Sequence, residues 1–183
     1  MPQILSTAWM RATAVLAAFA LAATTFIYAS PDADALTRSE KKQYLQTLAA
    51  QEKLSFDVLT DLAEIHPGGP FRLMARAEEG DLQRIRRLLR IHGWVDLTRG
   101  DAPGQFRNFP RIEQSYFDMI TDGQNTIGDA ARVGVALQQI SLGMLYELLD
   151  SRLTKRDRKQ LDYTRAYATS RMTTFWWTVN QYG

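Results

Sequence analysis

The sequence predicts an all-α protein: an N-terminal transmembrane helix followed by an antiparallel four-helix bundle with a long crossover loop. Three observations predict this class. A run of nineteen residues near the N-terminus carries no charge, apolar residues recur every three to four positions along four later stretches, and no stretch alternates convincingly as a strand would. The 183 residues leave about 150 for the bundle, which is a usual size for one domain.

The composition excludes several classes of function. The 22 basic and 20 acidic residues are spread along the chain and give a formal net charge of +2, which argues against a dedicated nucleic-acid-binding protein. The absence of cysteine excludes disulfides, thiolate nucleophiles and cysteine metal ligands. No glycine-rich phosphate loop or Gly-x-Ser-x-Gly elbow is present. By elimination, we expect a protein that is not an enzyme and that binds no cofactor.

The uncharged run, residues 12–30, predicts the location of the chain. As a helix it rises about 28 Å, close to the roughly 30 Å of hydrocarbon in a bilayer. A single arginine precedes it and acidic residues follow it, which predicts a cytoplasmic N-terminus and a periplasmic domain in a bacterial inner membrane. The anchor residues of this single-pass segment are Trp9, Arg11, Phe19, Phe26 and Tyr28.

A cleaved signal peptide is the alternative for the same run. Pro31 followed by Ala33-Asp34-Ala35 offers a small-x-small cleavage site, and cleavage after Ala35 would release the domain into the periplasm. The run is longer than the usual apolar core of about 7 to 15 residues, and few positive charges precede it, which favours a retained anchor. The predicted organisation is an anchor at 1–30, a linker at 31–36 and an extracytoplasmic bundle domain at 37–183.

Start and stop signals predict the first two bundle helices. Thr37-x-x-Glu40 is a capping box that begins a long helix, and His66-Pro67-Gly68-Gly69 ends it. Pro70 begins the second helix and Gly93 follows its end, so the short turn between them favours antiparallel packing. The stripes expected to face the core are Leu45, Leu48, Glu52, Phe56, Leu59 and Ala63, then Phe71, Met74, Ala75, Glu78, Leu82, Ile85 and Leu89.

The second half of the chain repeats this arrangement after a loop. Residues 94–109 lack periodicity and form the predicted crossover. A short helix is expected from Pro110 to near Gly123, and Thr126-x-x-Asp129 begins the third long helix. Thr154 begins the last one, with Asp157 three residues on. The expected core positions of these helices are Ile112, Tyr116, Met119, Ile120, Ala130, Gly134, Leu137, Ser141, Leu145, Leu148, Leu161, Thr164, Ala168, Met172, Phe175 and Val179.

Two surface features are candidates for an interface. Arginines crowd the end of the second helix, where they either form a solvated outer face or bind anionic lipid headgroups or an acidic partner. Three consecutive aromatic residues near the C-terminus cannot all lie on one buried stripe, so at least one should face outward. The interface candidates are Arg84, Arg87, Arg90, Phe175, Trp176 and Trp177.

Glu52 and Glu78 fall on apolar stripes, where a carboxylate is unexpected. Either both project into the core as metal ligands, or each lies at a helix edge and turns to solvent or pairs with an arginine. Here the chain resembles the ferritin-like superfamily, in particular a prokaryotic branch of uncertain function with two helix pairs around a long crossover. The resemblance covers roughly Gln43 to Phe175 and rests on Glu52-Lys53-Leu54, Ala77-Glu78-Glu79 leading into Leu88-Leu89 and Gly93, Gly104-x-Phe106-x-Asn108, Val133-Gly134 and Ser170-Arg171.

The resemblance implies a ferritin-like bundle with a di-metal site, but the chain departs from the family's ligands. Asp81 stands where the family's Glu-x-x-His has its histidine, Gln138-Gln139 and Ser141 stand where acidic residues are expected, and Thr173 stands near an expected histidine. Glutamine keeps the shape of glutamate but lacks the charge that a cation requires. We therefore expect a degenerate member without metal. The ligands of any bound cation would be Glu52, Glu78 and Asp81.

The two histidines do not restore a ligand set. His66 and His92 each stand at a predicted helix C-terminus, where an imidazole more often complements the helix dipole than binds a metal.

The sequence leads to one expected function and two alternatives. We expect a membrane-tethered periplasmic bundle that acts, without catalysis, as an accessory subunit of a larger membrane protein complex of respiratory or photosynthetic type. It would contact membrane lipid, form a hetero-oligomer and bind no nucleic acid. The first alternative is a ferritin-like metal-binding oxidase or storage protein with an unconventional Glu/Asp site. The second is a soluble periplasmic binding module released by cleavage.

Overall fold

The structure is a computed structural model that describes residues 36–183, and every regular element in this part of the chain is an α-helix. The all-α prediction is therefore confirmed for residues 36–183. The predicted anchor, with Trp9, Arg11, Phe19, Phe26 and Tyr28, lies outside the described residues, and none of the described helices is long and apolar enough to cross a membrane. The helices are α1 (Arg38–Ile65), α2 (Phe71–Ile91), α3 (Pro110–Gly123), α4 (Ile127–Asp150) and α5 (Lys155–Tyr182).

Local capping fixes the helix ends where the sequence predicts them. Thr37 Oγ1 accepts the Glu40 backbone N–H at 3.2 Å, and the Glu40 carboxylate accepts the Thr37 N–H at 2.7 Å, which completes the capping box of α1. Thr126 and Thr154 each accept the backbone N–H three residues on. Gly93 ends α2 with φ +68°, a left-handed conformation that favours glycine.

The four long helices form two pairs that pack into a bundle. The most extensive packing is of α1 on α2 and of α4 on α5, while α1 also packs on α3 and α4, and α2 packs on α5. Gly134 allows a close approach within the second pair, because a Cβ there would lie 2.6 Å from the Phe175 ring. Most of the predicted core positions are buried. The exceptions are partly buried: Phe56, Tyr116, Ile120, Met172 and Val179.

A buried ion pair attaches the crossover loop to α1. Lys53 and Asp57 form an ion pair one helical turn apart, and both are almost fully buried. Lys53 Nζ also donates to the Ala102 carbonyl at 2.9 Å and lies 4.3 Å from the centre of the Phe106 ring. The backbone N–H of Gly104 donates to Asp57 at 2.9 Å. Both members of the pair therefore bind the loop as well as each other.

Asp57→Ala should lower the free energy of unfolding by about 3–5 kcal/mol, because it leaves the Lys53 ammonium buried without a counter-charge. Urea unfolding followed by circular dichroism measures the change. Glu64→Ala is the control, since it breaks an exposed pair with Arg72 and should cost less than about 1 kcal/mol. Equal losses for the two variants would contradict this role of the buried pair.

Candidate functional site

A cluster of acidic side chains lies at mid-height in the bundle. Glu52 comes from α1, and Glu78 and Asp81 come from one face of α2; all three have no exposed surface. One carboxylate oxygen of each lies within 4.8 Å of the others. These three residues are called the carboxylate cluster below. Glu52 and Glu78 therefore face the core rather than the solvent.

Arg171 of α5 provides a positive charge beside the cluster. Its Nε lies 2.8 Å from Glu78 Oε1, and a terminal guanidinium nitrogen lies 2.6 Å from Asp81 Oδ2. The residue is only 4% exposed. Burial alone lowers the pKa of Arg171, but the nearby carboxylates more than offset this effect and raise it. The guanidinium is therefore charged and binds two of the three carboxylates.

Gln138 of α4 connects Arg171 to Glu78. Its side-chain N–H donates to Glu78 Oε1 at 2.6 Å, and its carbonyl oxygen accepts from Arg171 Nε at 3.1 Å. An ionised glutamate at this position would accept from the arginine but would have no proton to donate to Glu78. The amide of Gln138 thus provides both the donor that Glu78 needs and the acceptor that Arg171 needs. Each of the four long helices contributes a side chain to this network.

Asp81 extends the network to the protein surface. Arg84 donates to Asp81 Oδ1 from two nitrogens, at 2.6 and 3.0 Å, and its guanidinium lies 4.9 Å from the centre of the Tyr167 ring. The Thr164 hydroxyl lies beside the same carboxylate. Arg84 was predicted as an interface residue, and the structure places it in this network while leaving it partly exposed.

Glu52 has a different environment from the other two acids. Neither of its carboxylate oxygens has a hydrogen-bond donor among the described residues. Burial raises the pKa of Glu52 well above its ordinary value, and the negative charges of Glu78 and Asp81 raise it further, against the opposing effect of Arg171. These effects favour the neutral, protonated form of Glu52 over the carboxylate, compared with an exposed glutamate.

A proton on Glu52 would balance the charges of the network. Burial also raises the pKa of Glu78 and of Asp81, but Arg171 opposes the increase at both. With Glu52 neutral, two carboxylates face the guanidinium groups of Arg171 and Arg84. The residues do not fit a di-metal site, because no histidine is present in the cluster and two of the three carboxylates already bind guanidinium groups. The side chains present can hold and share a proton.

The other predicted site residues lie away from the cluster. Phe175 is fully buried and stacks on Phe71 with ring centres 6.3 Å apart, so it is a core residue and is not available for an interface. Trp176 and Trp177 are 43% and 64% exposed. Arg87 and Arg90 are also exposed.

The histidines bind neighbouring loops and helices. His66 bonds the Gly123 carbonyl at 2.8 Å through Nε2. His92 lies 3.2 Å from the Asp157 carboxylate and stacks on Trp94 with ring centres 4.5 Å apart. Both follow helix ends, as predicted, and each connects its helix to another part of the bundle.

The sequence reasoning did not place Arg171 in the site. The signal was available, because Thr164, Ala168, Arg171 and Phe175 follow one another at helical spacing and all are buried. A charged residue on this buried stripe of α5 indicates a candidate site, just as Glu52 does on the buried stripe of α1. The predicted stripe passed through Met172 instead, which is only partly buried.

Comparisons with known proteins identify relatives without an established activity. A family model described as an uncharacterized protein domain, DUF2202, matches residues 41–171, a range that contains the whole cluster and its partners. An uncharacterized protein from Methanocaldococcus jannaschii, MJ0754, is 26% identical over 106 residues, which span 58% of this chain and 57% of that protein. The match thus spans little more than half of that relative.

The same archaeal protein has a similar fold. The crystal structure of hypothetical protein MJ0754 superposes with a TM-score of 0.74 at 21% identity, over 84% of this chain and 86% of that chain. At this identity the likeness establishes the helical fold alone.

Glu52→Gln should stabilise the protein in a pH-dependent way. The pKa of Glu52 in the folded state lies above the ordinary value of 4.5. The free energy of unfolding is therefore unaffected by this shift below about pH 4.5, and it falls as the pH rises above that value. The loss grows by about 1.4 kcal/mol per pH unit until the folded pKa is reached. The variant should therefore resemble the wild type near pH 5 and exceed its free energy of unfolding at pH 7.5, measured in urea.

Glu79→Gln provides the matched control for this substitution. Glu79 is exposed beside Glu78, so the same Glu-to-Gln change at that position should alter stability by less than about 0.5 kcal/mol at both pH values. A loss of stability for Glu52→Gln at pH 7.5 would mean that Glu52 is ionised and paired with a cation.

Gln138→Glu tests the bridging amide. At pH 7.5 it should cost at least about 2 kcal/mol, because it removes the donor to Glu78 and adds a fourth carboxylate to the cluster. At pH 5 the loss should be smaller, since the introduced carboxyl can be protonated and donate. Gln139→Glu, at the exposed neighbouring position, should be close to neutral in the same urea titrations. Equal effects of the two substitutions would exclude the bridging role.

Proposed function

The chain belongs to the DUF2202 family, an uncharacterized protein domain, and from that premise we propose that it is a non-enzymatic, membrane-tethered accessory subunit of a larger membrane protein complex. The proposal places a ferritin-like bundle in the periplasm, held by the apolar run at residues 12–30. A respiratory or photosynthetic assembly is a suitable host for such a subunit.

The observation that carries the non-enzymatic part of the proposal is the charge-balanced network at mid-bundle. A catalytic carboxylate has to reach a substrate, and a catalytic metal needs an open coordination position. Here Glu78 and Asp81 are fully buried and bound by Arg171, while Glu52 is fully buried and its pKa is raised, which favours its uncharged form. The network has the properties of a structural connection between four helices.

Exposed aromatic side chains on α5 support a protein partner. Tyr163, Tyr167 and Trp177 are each about half exposed or more and fall on one side of the helix at spacings of four and ten residues. Trp176 is also exposed, but it lies about 100° around the helix axis from Trp177 and so outside this face. Large aromatic side chains are enriched where proteins contact partners, and a solvated face gains little from them.

Native sizing after gentle solubilisation tests the accessory role. Membranes containing the chain are extracted in a mild detergent, and the complex is sized and its components identified. We expect a species heavier than the monomer that contains an integral membrane protein. Trp177→Ala should reduce this species, whereas Phe117→Ala, which removes an exposed aromatic side chain from α3, should leave it intact. Migration of the wild type as a free monomer would refute the proposal.

A metal-binding ferritin-like oxidase or storage protein is the second candidate. Glu52 favours it, because its two buried oxygens have no donor among residues 36–183 and two further carboxylates lie close by. Metal analysis of the purified chain, with the Glu52→Gln and Glu78→Gln variants beside it, decides the matter. Stoichiometric iron, manganese or zinc that both substitutions remove would establish this candidate, and a substoichiometric content would reject it.

A further inference from the structure

Several basic segments meet at one end of the bundle. The start of α1, the end of α2, and the turn from α4 to α5 line a common recess that includes Arg38, His92, Arg152 and Asp157. Lys41 of α1 donates a hydrogen bond to the Arg152 carbonyl in that turn. This region is called the basic end. Its exposed cationic residues are Arg38, Lys42, Arg87, Arg90, Arg152, Lys155, Arg156, Arg158 and Lys159.

The exposed charge of the basic end has one predominant sign. Its exposed acids are Glu40, Glu147 and Asp150, and the half-exposed carboxylate of Asp162 beside Lys159 is paired with Arg165. Glu40 belongs to the capping box of α1, and Glu147 accepts a hydrogen bond from Tyr44. Asp157 is buried against His92. The cationic side chains therefore outnumber the acids that are exposed beside them.

The opposite end of the bundle has no such excess. Its exposed acids are Glu64 and Asp122, its exposed arginines are Arg72 and Arg76, and Arg111 at the start of α3 is a further exposed arginine outside the basic end. Arg72 is itself paired with Glu64. A mixture of signs is the usual state of a solvated surface. The single-sign character of the basic end is thus a local feature, because the whole chain carries a formal net charge of only +2.

The chain enters the bundle at the basic end. Leu36, the first described residue, packs on a cluster of buried apolar residues that includes Leu45, Leu89 and Leu161. Only residues 31–35 separate it from the uncharged run, and five extended residues span at most about 18 Å. If the run lies in a bilayer, chain length alone keeps the headgroup region within reach of these side chains.

We propose that the basic end binds the surface of an anionic lipid bilayer. The inference rests on the tether of the proposed function and names the surface that the tether brings into contact. Lysine and arginine side chains near an anionic leaflet each strengthen membrane association by roughly fivefold, an effect that salt screens. Nine such side chains on one end would orient the bundle, so that the aromatic face of α5 stands away from the lipid plane and meets a partner.

A single fluorescent label on the full-length chain tests this orientation. The chain has no cysteine, so Gln43→Cys, in the second turn of α1, and Thr121→Cys, in α3 at the opposite end, each create one labelling site. The labelled protein is reconstituted into vesicles of phosphatidylcholine alone or with 30% phosphatidylglycerol, each with a quencher attached to the lipid headgroups. We expect quenching of the Gln43→Cys label to rise at least about twofold with phosphatidylglycerol and to fall back in 0.5 M salt.

Matched charge variants complete the test. Replacing Arg152, Lys155, Arg156 and Lys159 by glutamine should abolish the response to phosphatidylglycerol. Replacing Arg72, Arg76 and Arg111 by glutamine should preserve it, and the Thr121→Cys label should not respond in any lipid. Unchanged thermal unfolding by circular dichroism establishes that these surface variants fold.

The failure of this inference is distinguishable from the failure of the tether. If the protein floats with both kinds of vesicle in high salt but the Gln43→Cys label responds equally in both lipids, the tether stands and the basic end does not bind lipid. If the protein does not float, the tether itself is wrong. Binding of a duplex DNA oligonucleotide more tightly than of phosphatidylglycerol vesicles would overturn the inference in favour of nucleic acid.

Discussion

The ion pairs of Arg171 with Glu78 and Asp81 are the contacts on which the arrangement of the bundle depends most. Short turns join α1 to α2 and α4 to α5, but only the crossover loop and α3 connect one pair to the other. Arg171 and its acidic partners lie on different pairs, so they fix the position of one pair against the other. A buried guanidinium is tolerated only where its partners are close, which makes this contact more selective than apolar packing.

The same network indicates how three carboxylates are accommodated in the core. Three ionised carboxylates within 4.8 Å would repel strongly at low dielectric constant. Arg171 and Arg84 compensate two of these charges, and the raised pKa of Glu52 favours a proton that would remove the third. Gln138 fits this state because it donates to Glu78 and accepts from Arg171 at once. A glutamate at that position would require a further proton or a cation. The neutral amide of Gln138 avoids adding this uncompensated charge to the network.

Much of the fold could be predicted because its determinants are local. The ends of the helices follow from Thr37, Thr126, Thr154, Pro110 and Gly93, each of which acts within one or two helical turns. The buried positions of Glu52 and Glu78 follow from the same helical periodicity. The contacts of those acids could not be predicted, since the partner of Glu78 lies far along the chain on α5 and periodicity does not relate one helix to another.

The pair of Lys53 and Asp57 is a second case in which contacts between distant segments could not be predicted from helical periodicity. Both residues belong to the first predicted helix, and their spacing allows an ion pair on any solvated face. Their burial depends on the crossover loop, whose backbone folds over them through Ala102 and Gly104. A loop without periodicity carries no sequence signal for where it packs. The charges that decide its position could therefore be recognised only once the loop was in place.

The balance of positive and negative exposed charge differs between regions of the bundle. Like charges crowded on a surface repel one another, and dispersing them among acids would relieve that repulsion at no cost to helix formation. The end opposite the basic end has such a mixture, and mid-bundle charges are neutralised internally. Within residues 36–183, the basic end is where exposed charge of one sign is in clear excess, and the chain continues from there toward its uncharged run. Anionic groups brought against this end would relieve the repulsion, as dissolved counter-ions do in part by screening.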